Sequence, residues 1–179
     1  MKSNKRFKGF TLIELIVVMA ILAVLCGVLV PNGLAWIRDA KIKTCNSEAK
    51  TVFNTAVTVL QDYQLEGRVS DIASGNGQLD IEKGDSNLAT DKINKKLGNN
   101  FTENSIWCVR TNVNNYTDKN ANTIEVISAL FADRDTSVYV GRYPVPANQK
   151  SNGGGYNAVK GSILNPSDST SDAIYTPTP

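Results

Sequence analysis

The chain has 179 residues, 41% of them hydrophobic, with 19 Lys and Arg against 17 Asp and Glu, and this length suits one globular domain. Four of the cations, Lys2, Lys5, Arg6 and Lys8, lie in the first nine residues, which contain no acid. Without these four, 15 cations face 17 acids, so the body is slightly acidic. This charge balance argues against a nucleic-acid-binding protein.

An apolar segment follows this basic leader of residues 1–9. Residues 10–30 read FTLIELIVVMAILAVLCGVLV, interrupted only by Thr11, Glu14 and Gly27. As a helix the segment would be about 31 Å long, close to the thickness of the hydrocarbon layer of a membrane. Because the leader is basic, the sequence predicts a single-pass transmembrane helix with its N-terminus in the cytoplasm and its C-terminus outside.

Three general kinds of membrane segment compete for this interpretation. A cleaved secretory signal has a hydrophobic region of about 7–15 residues, whereas this one is longer and contains Glu14. A lipoprotein signal needs a small residue before the acylated cysteine, but Leu25 precedes Cys26. A plain anchor does not account for Glu14, because a charge inside a span costs up to about 3 kcal/mol and marks a functional site.

The residues around Glu14 resemble the prepilin cleavage and methylation motif of the type IV pilins and pilin-like proteins. The motif is carried by Lys8-Gly9-Phe10-Thr11-Leu12-Ile13-Glu14-Leu15. The resemblance implies that a prepilin peptidase cuts between Gly9 and Phe10, that Phe10 becomes N-methylated, and that Glu14 is the glutamate of the motif. Pro31 lies 21 residues after Phe10, where many pilins carry a helix-kinking proline.

The charge of Glu14 has a physical use in such a protein. Cleavage would leave a cationic amine on Phe10, and among packed apolar helices that charge needs a partner. Glu14 can supply it within one helix or to a neighbouring subunit, and the second arrangement would fix the register of each added subunit. In the alternative interpretation, the Glu14 carboxylate only reaches the cytoplasmic surface of the membrane.

Gly27 and Pro31 form a weak point in the same helix. Pro31 has no N–H, and its ring crowds the carbonyl of Gly27. Gly27 itself weakens a helix by about 1 kcal/mol relative to Ala. We therefore expect the helix to kink at the membrane surface, or to melt there during assembly as the resemblance implies for some filaments.

Residues 31–65 continue the helix as an amphipathic segment. Its apolar positions recur at helical spacing: Trp36, Ile37, Ala40, Cys45, Ala49, Val52, Phe53, Ala56, Leu60 and Tyr63. One rod is thus predicted from Phe10 to about Gln64, ending near Gly67, with its outer half covered by a sheet.

The rest of the body is predicted as a loop, a sheet and a tail. Residues 66–104 match the variable helix-to-sheet loop of pilins in position, with a short helix capped by Asp85-Ser86 and stopped at Gly98. Residues 105–145 contain three extended runs joined by polar turns: Ser105–Val113, Thr123–Phe131 and Ser137–Val145. Residues 146–179 are rich in Pro, Gly, Ser and Thr. These elements predict an α+β fold with a long N-terminal helix on a small antiparallel meander, and the resemblance implies that this is the type IV pilin fold.

The three cysteines match no zinc, redox or haem spacing. Cys26 lies in the apolar segment and is expected to be a small apolar side chain. Cys45 and Cys108 form a possible disulfide in an exported body, while two buried free thiols are the alternative that we favour.

The sequence contains no histidine, and we find no nucleophile motif, phosphate loop or metal cluster, so we expect neither an enzyme nor a cofactor. The resemblance implies a structural subunit of a type IV pilus in adhesion, surface motility or biofilm formation. One alternative is a minor pilin or pseudopilin of a secretion or DNA-uptake apparatus. Another is a membrane-anchored binding domain that does not polymerise.

The partners implied by the resemblance are other pilin subunits, the prepilin peptidase and methyltransferase, the pilus assembly platform and, before assembly, the membrane. No nucleic acid is expected. The precursor would lie in the cytoplasmic membrane and the mature subunit in an extracellular pilus. The abundance of Asn and Lys, and the lack of a cysteine pair closing the last loop, indicate a Gram-positive source.

Overall fold

The computed structural model describes residues 9–98, 101–118, 122–134 and 139–145, without the side chains of Val28, Pro31, Asn32 and Ala35. The chain divides into two compact units, Met1–Arg38 and Asp39–Pro179. The two units are described separately below.

The first helix, α1, spans Leu12–Leu65, 54 residues that belong to both units. Its C-terminus is closed by Gly67, whose φ of 67° lies in the left-handed region that glycine adopts readily. The Gly67 N–H donates to the Gln64 carbonyl at 3.0 Å, and the Arg68 N–H donates to the Tyr63 carbonyl at 2.8 Å. These are the two hydrogen bonds of a Schellman motif, and the predicted stop near Gly67 is confirmed.

In the first unit, α1 presents a continuous apolar surface. Its backbone is helical through Gly27 and Pro31, so the predicted melting of this segment stays a prediction about assembly. Large apolar side chains are exposed along it: Leu12, Ile13, Leu15, Ile16, Val17, Val18, Met19, Ile21, Leu22, Val24, Leu25, Leu29 and Val30. Within the described residues, no helix combines the length and the apolarity needed to span a membrane.

The second unit packs the C-terminal part of α1 on an antiparallel sheet. Its further elements are a 3-10 turn at Val69–Asp71, β1 at Gly77–Glu82, α2 at Leu88–Leu97, β2 at Ile106–Asn114, β3 at Thr123–Ala132 and β4 at Val140–Tyr143. The strand order is β1-β2-β3-β4, and every neighbouring pair is antiparallel. This meander beside a long helix confirms the α+β pilin fold.

The core lies between α1 and one face of the sheet. Residues three and four apart on α1 share a face, so Val52, Ala56, Val59 and Tyr63 are all buried there. They cluster with sheet residues such as Trp107 of β2. Since burial of a large apolar side chain contributes about 1.5–3 kcal/mol, this stripe holds the helix to the sheet.

Strand β1 lies in the predicted loop and was not predicted from the sequence. Its sequence, GQLDIE, has only Leu79 and Ile81 as apolar residues. The strand forms because its backbone pairs with β2 and because Arg110 makes two hydrogen bonds of 2.7 Å to Asp80. Both contacts are distant in sequence, so local composition does not reveal them.

The short helix α2 confirms one predicted end and corrects the other. Gly98, with a φ of 57°, is the predicted stop. The N-cap is Asn87 rather than Asp85-Ser86, because the Asn87 Oδ1 accepts a hydrogen bond from the Ala89 N–H at 2.9 Å. Asn is among the best N-cap residues, and the Asn87 Nδ2 also donates to the Ile72 carbonyl at 2.9 Å.

Candidate processing and assembly site

The peptide bond between Gly9 and Phe10 lies just before α1. Both residues are outside the helix, and the Phe10 side chain is 92% exposed. A bond in exposed, non-helical backbone is the kind that proteases reach most readily. Lys8, the first residue of the predicted motif, lies outside the described residues.

Thr11 and Glu14 close the N-terminal end of α1 with three hydrogen bonds. The Thr11 N–H and the Thr11 hydroxyl each donate to the Glu14 Oε2 at 2.8 Å, and the Glu14 N–H donates to the Thr11 Oγ1 at 3.4 Å. This reciprocal arrangement is a capping box. The capping role of Thr11 was not predicted from the sequence, although the pattern Thr-x-x-Glu before an apolar run is its usual signal.

The predicted weak point, Gly27 and Pro31, lies farther along the exposed part of α1. A Cβ built on Gly27 meets no atom within 4 Å. A larger residue at this position would therefore cause no steric clash within the single chain. The side chain of Pro31 lies outside the described residues.

The structure does not bring Cys45 and Cys108 together. Neither forms a disulfide, and both are buried. Because side chains alternate along a strand, Trp107 and Val109 of β2 enter the core beneath α1, whereas Cys108 between them points to the other face and clusters with residues such as Leu130. The strand register therefore does not place Cys108 against α1, where the possible disulfide with Cys45 would require it.

Cys45 is the thiol at the contact between α1 and β4. Burial raises its pKa to about 11, assisted by the negative charges of Glu48 and Asp133. A thiol with such a pKa is a poor nucleophile, because the thiolate is the reactive form. Cys26 is exposed on the first unit.

A cavity of about 330 Å³ lies beside α2, with Lys83, Phe101 and Trp107 among its lining residues. The Lys83 ammonium donates to the carbonyls of Glu103 at 2.8 Å and Ser105 at 2.6 Å, so it is engaged in holding the loop. In the part of the chain that the structure describes, no group of His, Cys, Asp and Glu is arranged to hold a metal ion.

Comparisons with known proteins also match the N-terminal part of the chain. The family described as the prokaryotic N-terminal methylation motif matches residues 4–30. The type IV wide pilus major component PilA4 of Thermus thermophilus is 42% identical over 59 residues, which are 33% of this chain. The chain spans 42% of the length of that relative. No solved structure matches the chain at a significant level.

The methylation motif and the fold together resemble one class of protein, the prepilin-type proteins. The motif extends into the long helix α1, which is followed by a four-stranded antiparallel sheet, and this arrangement agrees with the one expected from the sequence for a prepilin-type protein. The N-terminal part of the chain is therefore similar to type IV pilins.

Proposed function

We propose that the protein is a structural subunit of a type IV pilus, made as a membrane-anchored precursor and cut between Gly9 and Phe10 before assembly outside the cell. One observation is the main support for this proposal. The methylation motif over residues 4–30 coincides with an exposed, non-helical Gly9-Phe10 bond directly before α1. A prepilin peptidase would act on that bond, and a methyltransferase on the new amine of Phe10.

The exposed apolar surface of the first unit would become the contact between subunits. Residues such as Leu12 and Leu15 are 77% and 61% exposed in the single chain. Burial of apolar surface contributes about 25 cal/mol per Å², so the same surface on other subunits is a favourable partner. A large exposed apolar patch generally marks a surface used for association or for a membrane.

Glu14 would neutralise the Phe10 amine once the leader is removed. Its carboxylate is held at the N-terminal end of α1 by Thr11. An unpaired charge in an apolar contact is strongly unfavourable, whereas a paired and hydrogen-bonded one is tolerated. Within the filament, Gly27 and Pro31 provide the place where α1 would bend or melt.

The relative from Thermus thermophilus is a major component of a wide pilus, which supports a filament subunit over a binding domain that does not polymerise. The filament would serve adhesion, surface motility or biofilm formation, and it would be built by a pilus assembly platform from a pool of subunits in the membrane.

The cleavage step is tested by Gly9→Ala, which adds a methyl group at the residue before the scissile bond. We expect the precursor to accumulate uncut, as measured by the intact mass of the purified protein. Gly84→Ala is the matched control, because Gly84 is exposed and a Cβ there meets no atom within 4 Å. Mature subunits from the Gly9→Ala variant, at the level of the control, would refute the cleavage assignment.

A further inference from the structure

Trp36 is a large aromatic side chain of α1 that the single chain leaves in contact with solvent. It is 76% exposed, and Leu34 and Ile37 beside it are exposed as well. The other tryptophan of the sequence, Trp107, is 1% exposed in the core of the second unit. Since an aromatic ring buries about 150–250 Å² in a contact, an exposed Trp36 flanked by aliphatic side chains indicates an association surface.

Trp36 also lies at the end of a long uncharged stretch. Residues 15–37 contain no Asp, Glu, Lys or Arg, and Arg38 is the first charged residue after Glu14. At about 1.5 Å per residue, a helix of this length measures about 35 Å. That is longer than the hydrocarbon layer of a membrane, about 30 Å, and shorter than a bilayer with its headgroups, about 40–45 Å. In a helix that spans the membrane with this stretch, Trp36 therefore lies in the layer between hydrocarbon and water.

The charges that follow Trp36 match the surface of a lipid bilayer. Residues 38–50 contain four Lys and Arg, all of them exposed, against two Asp and Glu. An arginine guanidinium binds phosphate oxygens through paired hydrogen bonds, and each cation close to an anionic membrane contributes about 1 kcal/mol. The same segment of a second subunit would bring the same excess of cations to the contact. Charge complementarity thus favours lipid phosphates over a second copy as the partner of this surface.

We propose that Trp36 and Arg38 anchor the precursor in the headgroup layer at the outer surface of the membrane before assembly. The Trp36 ring lies between the acyl chains and the headgroups, where tryptophan is enriched in membrane proteins, and the Arg38 guanidinium binds lipid phosphates. Both residues belong to the first unit. Together they fix the depth of α1 in the membrane, which the length of an apolar stretch does not set by itself. The inference rests on the proposed function, since it needs a precursor in the membrane.

The depth of Trp36 is measured by the quenching of its fluorescence. The uncut full chain is reconstituted in vesicles of phosphatidylcholine and phosphatidylglycerol whose acyl chains carry bromine either near the headgroups or near the centre of the bilayer. We expect the shallow bromine to quench about twofold more strongly than the deep bromine, or more, because tryptophan prefers the interface. Trp36→Phe is the reference, since only the buried Trp107 then emits, and it should show little quenching at either depth.

Arg38→Gln tests the phosphate contact in the same vesicles. Its control is Arg134→Gln, because Arg134 is an exposed arginine of the second unit. We expect Arg38→Gln to lower the ratio of shallow to deep quenching about 1.5-fold or more, since α1 is then held less firmly at the anionic surface. Arg134→Gln should leave the ratio unchanged.

Quenching is measured on vesicles recovered by flotation, so that only membrane-bound chains contribute. A wild-type ratio of shallow to deep quenching that does not exceed that of Trp36→Phe would overturn the inference, and so would equal ratios for the two arginine variants. A precursor that does not float with the vesicles, or that is never cut before Phe10 in cells, would instead refute the proposed function. The two failures are therefore distinguishable.

Discussion

Gly141 of β4 lies directly against the backbone carbonyl of Cys45 on α1. A Cβ at position 141 would overlap the Cys45 carbonyl and the Asn46 nitrogen. The next residue continues the contact, because the Arg142 N–H donates to the Asn46 Oδ1 at 2.9 Å. This close approach of two backbones joins the last described strand to the helix.

Gly141→Ala should therefore destabilise the protein strongly. The overlap is with backbone atoms, which cannot rotate away as a side chain can, so we expect a loss of about 3 kcal/mol or more in the free energy of unfolding. Denaturant unfolding of the full chain in detergent measures this value. Gly84→Ala should cost less than about 1 kcal/mol. Equal stability of the two variants would show that β4 does not contact α1 in this way.

Asn87 should contribute to stability through two separate contacts. Asn87→Ala removes both the cap on Ala89 and the hydrogen bond to the Ile72 carbonyl, with an expected loss of about 2 kcal/mol. Asn87→Asp keeps the acceptor but not the amide donor, so its loss should be smaller. The exposed neighbour Ser86, changed to Ala, is the control. A larger loss in the free energy of unfolding for Ser86→Ala than for Asn87→Ala would instead support the N-cap at Asp85-Ser86 that was predicted from the sequence.

Lys83 should stabilise the loop that leads into β2. Its ammonium donates to the carbonyls of Glu103 and Ser105, and Lys83→Met leaves these carbonyls without that donor. We expect a loss of about 2 kcal/mol in the free energy of unfolding. Lys43→Met, at an exposed position of α1, should change stability by less than about 0.5 kcal/mol. No difference between the two would make the Lys83 contacts energetically unimportant.

The two buried thiols should stay unreactive until the protein unfolds. With a pKa of about 11 for Cys45, only about one molecule in a thousand carries the thiolate at pH 8. Cys108 is fully buried. Thiol titration without reductant, in a Cys26→Ser background, should detect no thiol in the folded protein and two after denaturation. Two missing thiols after denaturation would mean that Cys45 and Cys108 are bonded after all.

The parts of the fold that depend on neighbours in sequence were predictable. The stripe on α1, its end near Gly67 and the stop at Gly98 all follow from periodicity and from the special conformation of glycine. Strand β1 was not predictable, because it is mostly polar and forms through pairing with a strand that comes later in the chain.

The face of the sheet to which the Cys108 side chain points could not be predicted from the sequence either. Near its start, strand β2 is apolar on both faces, since Cys108 is as fully buried as its neighbours Trp107 and Val109. Alternation identifies the core face only when the other face is polar, so the sequence does not say which side meets α1. At the processing site, the motif identified Gly9, Phe10 and Glu14 as candidates, and the capping role of Thr11 could also have been predicted from the pattern Thr-x-x-Glu.

Glu14→Ala should separate processing from assembly. The scissile bond precedes α1 and does not involve the Glu14 side chain, so we expect cleavage and membrane insertion to proceed. Assembly should fail, because the Phe10 amine then has no counter-charge. Filament yield and the intact mass of the membrane pool measure the two steps. Glu125→Ala, at an exposed position on β3, should form filaments normally. Normal filaments from Glu14→Ala would leave this carboxylate without a role in assembly.

The central claim is that cleavage before Phe10 produces a subunit of a surface filament. Mass spectrometry of purified surface filaments tests it most directly, by identifying the N-terminal peptide of each component. We expect abundant peptides that begin at N-methylated Phe10 and continue with Thr11. Filaments that lack this chain, or that contain it with an N-terminus other than Phe10, would contradict it.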